Sequence, residues 1–158
     1  DELIKNNFIK TDATRQEAKF INWNLENHFR SKNTYEDKIQ LEWLNDTNSD
    51  HIIPKSFFNK PNAGKHRYWR ENDWNIDDIN LLDTFGNIVL VKAGLNNKKT
   101  DDDYGKVKSM YALNQNFTPS RSWKEVLDNN DVWTKKSVQK RNNYILDWAL
   151  NNWSLKNL

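Results

Sequence analysis

Asp50-His51-Ile52-Ile53-Pro54-Lys55-Ser56-Phe57 is the stretch on which the reading of this chain turns. An acid and an imidazole stand side by side, directly before an apolar pair and a proline. Successive side chains of an extended segment point to opposite sides, so Asp50 can take a metal ion while His51 stays clear of it. An imidazole with an unperturbed pKa of about 6.5 is mostly neutral near pH 7–8 and can accept a proton. Downstream, Gly86-Asn87-Ile88-Val89-Leu90-Val91 reads as a second short, largely buried strand, and Asn96 lies nine residues beyond Asn87. Asp and Asn offer hard oxygen donors, which suit Mg²⁺ or a similar divalent ion better than zinc. Together these groups fit phosphodiester hydrolysis: His51 draws a proton from water, and a metal on Asp50 and Asn96 stabilises the developing charge. Lys99 is within a helical turn of Asn96, placed to contact a phosphate or to hold Asp50. Each piece also has a plainer reading. Asp50-His51 can be an ordinary strand end, Asn87 a turn residue after Gly86, Asn96-Asn97 a helix cap and Lys99 solvated surface.

Outward from that stretch the chain reads as one α+β domain. On the N-terminal side, Asn45 to Ser49 is rich in turn formers. Before it, Ile39, Leu41 and Trp43 alternate with Gln40 and Glu42, which predicts a strand. Thr14 and Glu17 have capping-box spacing, and Ala18, Ile21, Leu25 and Phe29 recur at helical steps. On the C-terminal side a polar, basic excursion runs from Lys55 to about Asp78, broken by Pro61 and Gly64. A turn is expected at Ala93-Gly94, then a helix through Tyr104, Val107 and Tyr111. Two helices close the chain: one capped by Ser122-x-x-Glu125, the other opened by Thr134 with Val138, Ile145, Trp148 and Ala149 as its stripe. The expected core covers about residues 39–112, with helical flanks over 14–31 and 122–153.

Composition narrows the chemistry. The chain of 158 residues has no Cys, which excludes disulfides, thiolate catalysis and Cys-ligated zinc. Its 8 Trp compensate for a small aliphatic fraction, each burying about 150–250 Å². No apolar run of about 18 residues is present, so no membrane span is expected, and without a charged-then-apolar N-terminal segment no signal peptide is expected. A cytoplasmic, bacterial setting follows as the expectation. The net charge of +2 says little, but its distribution says more. From Lys55 to Arg70 the chain carries Lys55, Lys60, Lys65, His66, Arg67 and Arg70 without one acid, interleaved with Phe57, Phe58, Tyr68 and Trp69. Such a block suits a polyanion through phosphate neutralisation and counterion release; the alternative is a solvated loop beside a small aromatic cluster. His28, on the border of the first helix, is read as structural. No Gly-x-Ser-x-Gly elbow, P-loop or His-Glu-x-x-His supports another hydrolase.

The pieces Asp50-His51-Ile52-Ile53-Pro54-Lys55-Ser56-Phe57, Gly86-Asn87-Ile88-Val89-Leu90 and Asn96-Asn97-Lys98-Lys99 resemble the HNH (His-Me finger, ββα-metal) nuclease signature. The first piece and the Asn-to-Asn spacing resemble the HNH domain of the CRISPR RNA-guided DNA nucleases. The overall layout, from about Phe8 to Trp153, is more similar to the C-terminal domain of GmrSD-type modification-dependent restriction endonucleases. The resemblance implies a ββα-metal core with flanking helices at both ends. It implies His51 as general base, Asp50 and Asn96 as metal ligands, and Asn87 as the residue that steadies the loop between the strands and aims His51. Lys99 matches the Lys after the ligand Asn. The third signature position is Asn rather than His, which favours Mg²⁺ or Mn²⁺ over softer metals, and one divalent ion per site is expected. Asn97 is a neighbouring donor of the same kind; Asn96 is preferred because Lys99 then falls three residues on.

The expected activity is a metal-dependent endonuclease that nicks or cuts foreign double-stranded DNA, modified or not, in restriction and phage defence. Lys55, Lys65, His66, Arg67, Arg70 and Lys98 are the expected DNA contacts, an inference from charge rather than a property of the family. Larger relatives carry an N-terminal nucleotide-hydrolysing domain related to ParB/sulfiredoxin folds. This chain opens at Asp1 without room for one, so a C-terminal fragment of a larger protein is expected. Two other readings stand beside this one. A non-catalytic DNA-binding module on the same fold has no physical need for Asp50, His51 and Asn96 together. A helical interaction module unconnected with nucleic acid leaves the Lys55–Arg70 block unexplained.

Overall fold

The uninterrupted run Ile88-Val89-Leu90-Val91 can be stable only if both faces of its strand are covered, because side chains alternate between them. A computed structural model of the protein, which describes residues 15–32, 45–96, 104–113 and 131–153, covers both. Strand β2 (Ile88–Lys92) pairs antiparallel with β1 (Thr47–His51), with His51 opposite Ile88 and Asp50 opposite Val89. Val89 and Val91 enter one apolar cluster with Ile52, Ile53, Phe57, Trp69, Trp74 and Trp133. Ile88 enters another, with Ala18, Leu25, Phe29, Phe85, Ile145 and Trp148. The sheet is thus the partition between two cores. Described helices and this two-stranded sheet together make a mixed α+β architecture, as expected.

Helix α1 (Arg15–Lys32) packs across both strands and buries Ala18, Ile21, Leu25 and Phe29, the residues that its helical spacing singles out. After β1, two short helices, α2 (Lys55–Asn59) and α3 (Arg67–Glu71), flank a 3₁₀ turn at Gly64–His66. This segment, expected as a polar, basic excursion, is therefore a set of short helical turns. Its aromatics pull it onto the core: Phe57, Phe58, Trp69 and Trp74 are buried, and the Trp74 indole donates to the Trp133 carbonyl at 2.8 Å. Asn75 and Asp78 close a reciprocal capping box at the next 3₁₀ segment, Ile76–Leu81.

Beyond β2 the chain turns directly into α4 (Ala93–Asn96), where a plain turn was expected at Ala93-Gly94. Helix α5 (Tyr104–Leu113) buries Tyr104 and Val107. Helix α6 (Lys135–Trp153) begins after Thr134 and buries Val138, Ile145 and Trp148, with Ala149 packed at the edge. The predicted Ile39–Trp43 strand, the Thr14 cap and the Ser122 helix lie outside the described residues. No described helix is long and apolar enough to cross a membrane.

Candidate functional site

Thr-Asn-Ser-Asp-His is a polar sequence for a strand, and it stands because it pairs with β2, whose Ile88, Val89, Leu90 and Val91 are buried. Strand β1 consequently begins at Thr47, inside the stretch expected to be a turn, and carries Asp50 and His51 at its end. Asp50 is 8% exposed, whereas His51 keeps 29% of its side chain open to solvent. The alternation read from the sequence is present: neighbouring residues of the strand have different surroundings. Ile52 and Ile53 then dive into the core, both fully buried.

Asn87 occupies the last position of a 3₁₀ turn, Phe85–Asn87, rather than the strand that it was expected to open. Its backbone carbonyl accepts the Ile52 N–H at 2.8 Å, and its Oδ1 accepts the Ile53 N–H at 3.0 Å. Its Nδ2 donates to the Leu82 carbonyl at 2.9 Å, and its N–H donates to the Thr84 carbonyl at 3.0 Å. One buried residue thus ties the segment after His51 to the loop Leu82–Thr84. Within that loop lies Asp83, whose Oδ1 is 2.8 Å from His51 Nε2. Sequence reasoning missed this acid. The pair is 32 residues apart and follows no period, so only the Asp among turn formers before Gly86-Asn87 hinted at it.

The turn that carries Asn87 is itself clamped from α6. Arg141, buried to 1% exposure, donates from Nη1 to the carbonyls of Phe85 at 2.7 Å and Ile88 at 2.7 Å, and from Nη2 to Asn22 Oδ1 at 2.8 Å. Asn142 accepts the Gly86 N–H through Oδ1. Gly86 admits no side chain: a Cβ there would lie 2.2 Å from the Val138 carbonyl oxygen. These residues also escaped sequence reasoning, because a polar face on a helix looks like solvent exposure until its partner is known.

Asn96 is the last residue of α4, which packs against both strands. The neighbouring donor Asn97, and Lys98 and Lys99, lie outside the described residues. Among the described residues, no group of three or more His, Cys, Asp or Glu is arranged to hold a metal.

The basic block divides. Lys55, Lys65 and Arg67 are exposed. Arg67 pairs with Glu71 at 2.7 Å, and Glu71 holds the guanidinium pKa above its ordinary value, first through that hydrogen bond and then through its charge. Arg70 turns inward, donating to the carbonyls of Pro61 and of Ala63, the latter at 3.0 Å, and so staples the loop. His66 corrects the expectation of a DNA contact: it is fully buried, its ring edge-on to Phe57 with centroids 5.9 Å apart. Burying it completes the aromatic cluster beneath the loop and takes it off the surface. His28 is structural as expected, edge-on to Phe29 and Trp148.

A family model described as GmrSD restriction endonucleases, C-terminal domain, matches residues 1–148. No curated protein and no solved structure matches the chain.

Proposed function

We propose that this chain, which belongs to the family of GmrSD restriction endonuclease C-terminal domains, hydrolyses phosphodiester bonds of double-stranded DNA by metal-dependent HNH chemistry. Membership of a restriction-endonuclease family makes DNA the substrate class. The observation that carries the finer reading is the strand end itself, with a buried Asp50 beside a partly exposed His51 and with Asn87 anchoring the chain just beyond them.

In this reading His51 accepts a proton from water as general base, and the resulting hydroxide attacks phosphorus. The bond from phosphorus to the 3′ oxygen breaks, leaving a 5′ phosphate, and the departing oxygen takes a proton from solvent. Asp50 and an Asn at the end of α4, Asn96 by spacing, fit a hard divalent cation by donor chemistry. Two protein oxygens leave the remaining positions to water and phosphate, the way Mg²⁺ is commonly held. When bound, that ion supplies Lewis-acid stabilisation of charge on the phosphate and the leaving oxygen. Asn87 keeps the His51 backbone fixed while the reaction proceeds. Exposed Lys55, Lys65 and Arg67 supply charge for the DNA backbone, and Lys98 and Lys99 extend that assignment by sequence.

The test is conversion of supercoiled plasmid to the nicked form with Mg²⁺ or Mn²⁺, combined with Mn²⁺ calorimetry of Asp50→Ala. The expected outcome is nicking that a chelator abolishes, and Mn²⁺ affinity lowered at least tenfold in the variant. Unchanged Mn²⁺ binding would place the ion away from Asp50. Plasmid bound but not nicked by the metal-loaded chain would favour a non-catalytic DNA-binding module.

A further inference from the structure

We infer that Asp83 is a positioning residue for His51: its carboxylate accepts the Nε2–H of the imidazole and thereby leaves the Nδ1 lone pair as the atom that takes the proton from water. The inference rests on the reading of His51 as general base, and it names which ring nitrogen acts and what selects it.

The Asp83 Oδ1 to His51 Nε2 distance of 2.8 Å is a full hydrogen bond. An ionised carboxylate can only accept, so the shared hydrogen belongs to Nε2, and in the neutral ring Nδ1 then carries a lone pair and no hydrogen. The tautomer of a histidine is set by the hydrogen bond that its other nitrogen makes. Here that bond joins two segments that the fold holds through one shared residue, Asn87. On one side, His51 sits in register with Ile88, and the next two N–H groups of its chain end on Asn87. On the other side, the carbonyls flanking Asp83 are both engaged: Leu82 accepts from the Asn87 amide, and Thr84 accepts from the Asn87 N–H. The Thr84 hydroxyl adds a bond to the Leu81 carbonyl at 2.9 Å. Asp83 is 45% exposed, so its removal leaves the core untouched and its contact to His51 can be examined by itself.

Two readouts decide the matter. In ¹⁵N-labelled, metal-free protein at a pH where the ring is neutral, the His51 Nε2–H should appear as a slowly exchanging downfield resonance attached to the Nε2 nitrogen. Asp83→Ala should lose that resonance and lower kcat for plasmid nicking by at least about 10-fold, the lower end for losing a hydrogen-bond partner that orients a functional histidine, with KM for DNA unchanged. Asp83→Asn keeps an oxygen that accepts the same hydrogen, and should recover most of both signals. A downfield resonance or a kcat that survives Asp83→Ala would overturn the role. Failure of the general-base reading is seen separately: His51→Ala would then nick at the wild-type rate, whereas the resonance in the Asp83 variants still reports whether the contact sets the tautomer.

Discussion

At the scale of single residues, the amide of Asn87 is the point from which the site's geometry spreads. Both ends of its side chain are used inside the protein, Oδ1 by the Ile53 N–H and Nδ2 by the Leu82 carbonyl. A side chain that only ended a turn would leave one of them to water. Asn87→Ala removes an acceptor and a donor at once and strands two buried backbone groups, at a cost of about 1–3 kcal/mol for each. Urea titration should show that loss in the unfolding midpoint, and nicking by the folded variant should fall because His51 loses its anchor. A variant as stable and as active as wild type would show that Asn87 merely fills space. The same residue illustrates the reach of sequence. Its place in the Asn87-to-Asn96 spacing was visible, but its partners Leu82 and Ile53 were not, since no local pattern records a bond across a loop.

At the scale of elements, the decisive contact is α6 against the Phe85–Asn87 turn. Arg141 and Asn142 reach over this turn and fill its carbonyls and its N–H, while Gly86 lets the helix backbone come close. Gly86→Ala puts a methyl group against the Val138 carbonyl, and the displacement should destabilise the fold by about 1–3 kcal/mol, the range for overpacking a tight contact. Thermal unfolding checks this; an unaltered Tm would mean that α6 is free to retreat. Elements were legible where apolar period and burial coincide, as in α1, β2 and α6. They were misread where neighbours override local preference. Thr47 to Ser49 looks like a turn because Asn, Ser and Asp compete for the backbone through their side chains, yet pairing with a buried β2 makes it a strand. The helices of the Lys55–Asp78 excursion were not legible, because Pro61 and Gly64 break its local pattern and distant aromatic packing supplies its structure. Phe57, Trp69 and Trp74 fold it into short helices, and the same compaction buries His66 and turns Arg70 inward.

At the scale of the whole molecule, a two-stranded sheet separates two aromatic-rich cores and presents one polar strand end, Asp50-His51, at its margin. His51 is partly exposed and belongs to neither apolar cluster, so substitutions there can be made without dismantling either core. The exposed Lys55, Lys65 and Arg67 are carried on α2, the 3₁₀ turn and α3, the segments that directly follow the strand end. The different surroundings of Asp50 and His51 were legible, because alternation in a strand is a local property. The Asp83 contact and the Arg141 clamp depend on how distant segments meet. The measurement that tests the central claim most directly is single-turnover plasmid nicking by wild type and His51→Ala, with DNA binding measured in parallel. Loss of a general base should slow cleavage by about 10²- to 10⁴-fold while binding stays within a factor of about two. Cleavage by His51→Ala at the wild-type rate would contradict the account.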